Sequence, residues 1–169
     1  MVKLFKYTKG EIDLFYSIDM KEECNYNSEM DLELATSDVL DIFIRDQDPK
    51  QNELINLYAE KNNLERIAVL DAHGTSINGK WYYSNGKEDH SVQRWIGQKD
   101  GKYKLLILNI CNPEQDEISS KKSIILAPNE SHDFRKDFEK GDVQAELFFP
   151  GKGYVSSYEI ESEIEKLKE

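Results

Sequence analysis

The chain has 169 residues with 22 Lys and Arg against 33 Asp and Glu, a net charge of −11, and 38 % apolar residues with only 9 Gly and 4 Pro. These values exclude collagen-like and low-complexity chains, and no stretch approaches the ~20 consecutive apolar residues of a membrane-spanning helix. So acidic a chain repels phosphate backbones and offers no basic stripe, so neither nucleic acid nor a membrane is an expected partner; the length predicts one domain over residues 1–169.

Met1 to Phe5 turns polar at once, which is not the pattern of a secretory leader. Residues 11–19 alternate loosely and are rich in β-formers, so a first strand is expected there and a second over 31–35. Thr36-Ser37-Asp38 offers caps for a short helix in which Val39/Phe43 and Leu40/Ile44 recur four apart. Asp48-Pro49-Lys50-Gln51 is a stronger start signal, for a helix to about Asn62 that buries Leu54, Leu57 and Tyr58.

The run Arg66-Ile67-Ala68-Val69-Leu70-Asp71-Ala72 reads as a strand covered on both faces, ending at His73-Gly74. Asn78-Gly79 and Asn85-Gly86 predict a small hairpin within 75–88. A helix over 89–97 is expected next, capped by Asp89, burying Val92, Trp95 and Ile96 and stopping at Gly97. Tyr103 to Ile110 is a second buried strand running into Cys111-Asn112-Pro113, and Ser123 to Pro128 a third. A helix over 131–140, a half-exposed edge strand over 143–149 and a final helix over about 157–168 complete the chain. Apolar strands alternating with helices predict a mostly parallel sheet of roughly six strands in an α/β fold.

Two cysteines, one in the polar segment around Cys24 and one closing an apolar run at Cys111, do not form a disulfide framework, and a reducing cytoplasm is the expected location. In parallel sheets ligands bind beyond the carboxyl ends of the strands. If the strands ending at His73 and Cys111 are neighbours, an imidazole and a thiol project from one sheet edge. An imidazole raises the thiolate fraction of a nearby thiol and returns a proton to a leaving amine. Gly74, lacking Cβ, would let substrate approach the backbone, so that its N–H and that of Cys111 stabilise an oxyanion.

An apolar strand ending in His-Gly, followed 38 residues after the His by an apolar strand ending in Cys, resembles the caspase-like (clan CD) cysteine peptidases. Val69 to Gly74 and Leu106 to Cys111 carry the resemblance, which extends loosely over 66–150. It implies a three-layer α/β/α sandwich acting on peptide bonds without a metal or other cofactor. His73 would be the general base and acid, Cys111 the nucleophile and Gly74 an oxyanion donor. Ile110 stands where the family usually has a small residue, and Asn112-Pro113 where relatives have small residues or Gly.

Asp71 shares a strand face with His73, as an orienting or pocket carboxylate or as the cap of a local turn. A metal-dependent hydrolase would instead draw on Asp71, His73 and Asp89 or His90. A third possibility is a non-catalytic caspase-like module that binds a protein or forms a homodimer through strand 143–149. Trp81, Tyr82, Tyr83 and Trp95 suit either a peptide-binding surface or core packing. Pro150-Gly151-Lys152-Gly153 lacks the spacing of a phosphate loop and reads as a turn. Glu114 to Glu117 reads as an exposed acidic loop, His132 as a surface residue and Cys24 as an incidental thiol.

Overall fold

The computed structural model describes residues 3–23, 49–128 and 145–169. The strand expected over 31–35, the helices over Val39–Ile44 and 131–140, Cys24 and His132 lie outside these residues. Among the described residues the fold is mixed α/β, with a nine-stranded sheet rather than six strands.

The first expected strand is the second arm of a hairpin: β1 (Phe5–Lys9) turns at Gly10 into β2 (Ile12–Tyr16). Gly10 makes that turn at φ 56°. After α1 (Ile18–Glu23) comes α2 (Pro49–Asn62), with Pro49 at its first position as anticipated. Its buried residues are Leu54, Ile55 and Ala59, while Leu57 and Tyr58 are only partly buried. β3 (Ile67–Ile77) and β4 (Lys80–Asn85) form an antiparallel hairpin, extended by β5 (Glu88–Ser91). The remaining elements are α3 (Val92–Lys99), β6 (Leu105–Ile110), β7 (Ile124–Pro128), β8 (Ala145–Phe149), β9 (Gly153–Val155) and α4 (Ser157–Lys168).

The sheet runs β1-β2-β3-β6-β7-β8-β9. β2, β3, β6 and β7 pair in parallel and form its centre, and β1, β8 and β9 pair antiparallel at the two sides. The central strands are apolar at successive positions, so alternate residues enter two separate clusters. Val69, Ile107 and Leu126 join Leu54, Ile55, Ile160 and Ile164 from α2 and α4. Leu70, Leu108 and Ile125 join Val92, Trp95 and Ile96 from α3, with Trp81 and Tyr83 of the hairpin. A strand with side chains in both clusters has no polar face, and the continuous runs in the sequence express this.

Four expectations are corrected. β3 does not stop at His73 but continues to Ile77, because residues 73–77 pair with 80–84 of β4. Asp89 is not a helix cap: it lies in β5 opposite Ser84, and Ser91 caps α3, its hydroxyl accepting from Arg94 N–H at 3.1 Å. α3 runs through Gly97 to Lys99, since no neighbouring atom and no unusual backbone angle sets that glycine apart. The strand expected as an edge over 143–149 is, over its described residues Ala145–Phe149, not an edge, for β8 lies between β7 and β9. The turn at Pro150–Lys152 is found as expected, Lys152 N–H donating to Phe149 C=O at 3.0 Å, and Ser156 and Glu159 form a capping box at α4. Among the described residues no helix is long and apolar enough to cross a membrane.

Candidate active site

β3 and β6 are direct parallel neighbours, and their register pairs Asp71 with Asn109 and Ala72 with Ile110. His73 and Cys111 are the next residue on each chain, where neighbouring backbones run about 4.8 Å apart. Ala72 and Ile110 belong to the cluster under α3, so alternation directs His73 and Cys111 to the other face, in line with Asp71 and Asn109. His73 is exposed and Cys111 half-buried, so both reach solvent. Ile110, 1 % exposed, fills the core as a residue one step out of phase with Cys111 should.

The backbone beyond this pair is tied down from both sides. A Cβ on Gly74 would lie 1.9 Å from the Cys111 carbonyl oxygen and 2.5 Å from Ile110 Cγ2. The space left by the absent side chain is therefore filled by the end of β6 rather than held open for substrate, and close strand contact is what requires glycine there. The Cys111 carbonyl accepts from Trp81 Nε1 at 3.0 Å, and the Gly74 carbonyl accepts from Asn112 Nδ2 at 2.9 Å. Asn112 sits at φ 56°, the left-handed region that Asn tolerates best among residues with a side chain, and so turns the chain sharply after Cys111.

The acidic segment that follows is pinned rather than free. The Ser76 hydroxyl donates to Glu114, Gln115 Nε2 donates to the Pro128 carbonyl at 2.8 Å, and Tyr154 OH donates to the Gln115 carbonyl at 2.9 Å. Burial pushes the Glu117 carboxyl above its ordinary pKa, against a lowering hydrogen bond from the Trp81 backbone. Asp116 is the exposed member of the run.

Asp71 is fully buried and accepts from Asn109 Nδ2 at 2.9 Å, so it is built into the sheet two residues before His73. Its backbone carbonyl takes Ser17 N–H at 3.2 Å. The metal set does not assemble: His90 stacks on Tyr83 at 5.3 Å, and among the described residues no three His, Cys, Asp or Glu side chains are placed to share an ion. Trp81, Tyr83 and Trp95 are buried, which settles them as packing residues.

The structure thus brings His73, Gly74 and Cys111 to one place, with Asp71 beneath. The hydrogen bonds that Trp81 and Asn112 make beside Cys111 are not legible in the sequence. Asn112-Pro113 is conspicuous in sequence only as a departure from the caspase-like pattern. Comparisons with protein-family models, with curated proteins and with solved structures give no match for this chain.

Proposed function

We propose that this chain is a caspase-like cysteine hydrolase of the peptidase class, with the helices on the two faces of its sheet making a three-layer α/β/α sandwich. His73 and Cys111 are its catalytic dyad. The observation that carries the reading is the β3–β6 register, which ends at Ala72 and Ile110 and leaves an imidazole and a thiol as the next residues on adjacent parallel strands. In this reading His73 takes the Cys111 proton and the thiolate attacks the peptide carbonyl carbon. The C–N bond breaks as His73 returns that proton to the leaving amine. Water, deprotonated by His73, then cleaves the thioester to release the acid and restore the thiol. Backbone N–H groups of Gly74 and Cys111 are the oxyanion donors, and Asp71 a fixed carboxylate on the dyad's face.

The test is hydrolysis of a mixed peptide library, with labelling by a thiol-directed inhibitor, on the wild-type chain and on Cys111→Ala and His73→Ala. Loss of hydrolysis in both variants, and of labelling at residue 111 in the first, is the expected result. Hydrolysis that survives Cys111→Ala would remove the mechanism. A second reading, a non-catalytic caspase-like module that binds a protein partner, draws support from the packing of the Cys111 carbonyl against Gly74. Under it, no peptide is cleaved and Gly74 serves only the strand contact.

A further inference from the structure

Two hydrogen bonds tie the backbone next to residues 73 and 111, and neither is made by a dyad side chain. One holds the carbonyl of Cys111 itself, by Trp81 Nε1 at 3.0 Å. The other runs from the residue after Cys111 to the residue after His73, Asn112 Nδ2 to the Gly74 carbonyl at 2.9 Å. The first is anchored in the core: Trp81 is 0 % exposed, and its strand is held in register opposite Ser76. The second crosses the gap at the rim, just beyond Ala72 and Ile110, where the β3–β6 register ends.

We propose that Asn112 is a positioning residue that sets the spacing between the His73 imidazole and the Cys111 thiol by bridging the end of β6 to Gly74; the inference rests on the dyad reading above. Two properties of asparagine are used together. Its backbone accepts φ 56°, which turns the chain after Cys111, and its amide nitrogen donates back across the strands. Removing the donor deletes this bridge and frees the Cys111 end to move relative to His73. Proton transfer between a base and a thiol falls off steeply once they leave hydrogen-bond reach.

The two properties can be separated by substitution. Asn112→Gly keeps the left-handed backbone and deletes the donor. Asn112→Asp keeps the shape and much of the left-handed tolerance but presents a carboxylate oxygen to the Gly74 carbonyl. The readout is the pH dependence of iodoacetamide alkylation at Cys111, measured in a Cys24→Ser background so that a single thiol reacts, and needs no substrate. A thiol without a partner titrates near 8.5. In the wild-type background the alkylation midpoint is expected clearly below that value and to move toward it in His73→Ala. Both Asn112 variants are expected to shift it in the same direction, by about half the His73→Ala displacement, with near-ultraviolet circular dichroism unchanged. Once a cleaved peptide is in hand, kcat should fall about tenfold with KM within twofold, the loss expected of misplaced reacting groups.

A wild-type midpoint already near 8.5 that His73→Ala does not move would defeat the dyad, and the positioning role with it. A low midpoint that responds to His73→Ala but not to either Asn112 variant would overturn the positioning role alone. Should Asn112→Asp fail to fold, Asn112→Gly decides the matter, because it introduces no charge and no backbone strain. Should both fail, Trp81→Phe, which removes the companion bond to the Cys111 carbonyl and keeps an aromatic ring, is expected to give the same shift. An unchanged midpoint in that variant would count against hydrogen-bonded spacing as the mechanism.

Discussion

Gly74 and Gly79 are four residues from being neighbours in β3 and its turn, yet an added methyl group would act on them by different physics. At Gly74 it would collide with the Cys111 carbonyl oxygen at 1.9 Å, and that carbonyl is held by Trp81, so β3 and the end of β6 must part. At Gly79 nothing lies within 4 Å, and the cost is that of φ +77° for an L-residue. Gly79→Ala is expected to lower stability by about 1–2 kcal/mol, the penalty for a residue with Cβ in the left-handed region. Gly74→Ala should reach the upper end of the ~1–3 kcal/mol range for overpacking and, under the proposed dyad reading, also abolish peptide hydrolysis, since it displaces the thiol. Urea unfolding of both variants, paired with hydrolysis assays, separates the two causes. Full stability in Gly74→Ala would mean that the strand ends are not in this contact. His73 and Cys111 are legible in the sequence because each closes an apolar run. Asn112 and Trp81 are not, because their roles exist only across strands 30 or more residues apart in sequence.

The same distinction explains which elements could be read directly. β3, β6 and β7 are marked by apolar residues at successive positions, a pattern that a strand buried on both faces imposes on its own sequence. The continuation of β3 through Thr75, Ser76 and Ile77 leaves no such mark, since these residues are exposed or nearly so and are ordered by pairing with β4. Its only local signal is Asn78-Gly79, both at positive φ, the two-residue turn suited to a hairpin. The cap expected at Asp89 misplaces the start of α3 for a similar reason. Asp89 and Ser91 are both good caps by type, and the β4–β5 register decides, holding Asp89 opposite Ser84 in the strand. Ser91→Ala should therefore cost about 1 kcal/mol, the ordinary value of a lost cap. Asp89→Ala, at an exposed strand position, should stay within about 0.5 kcal/mol of wild type. Thermal unfolding of the two variants checks this, and a larger loss in Asp89→Ala would return the cap to Asp89.

At the scale of the whole molecule, the alternation of central-strand residues between two apolar clusters is the property the composition and patterning convey best. What they do not convey is how the opposite end of the sheet from His73 is locked. Asp13 of β2 is 4 % exposed and accepts from Thr8 Oγ1 at 2.8 Å, from Tyr103 OH at 2.7 Å and from the Arg66 guanidinium, with Lys6 Nζ at 3.9 Å. One carboxylate thus joins β1, β2, the residue before β3 and the approach to β6. Burial, the largest single influence on it, pushes its pKa up. Its hydrogen bonds with Arg66, Tyr103 and Thr8 and the charge of Lys6 outweigh that and hold it at about 2, against an ordinary 3.8. Because the folded value is the lower one, this stabilisation is present above about pH 4 and is lost as the pH falls toward 2. The difference amounts to about 2 kcal/mol. Tyr103 has the opposite sign: burial, and then its bond to Asp13, raise it from 10.0 to about 12, so its share is complete below pH 10 and lost as the pH climbs through 12. Asp13→Asn should lower stability at pH 7 by about 2 kcal/mol and flatten the fall between pH 4 and pH 2, because the titrating group is gone. Urea unfolding at pH 7, 4, 3 and 2 on both chains measures this directly. If the variant declined across the acid range as steeply as wild type, other carboxylates would have to carry the acid sensitivity, and Asp13 would hold the strands together by packing and neutral hydrogen bonds alone.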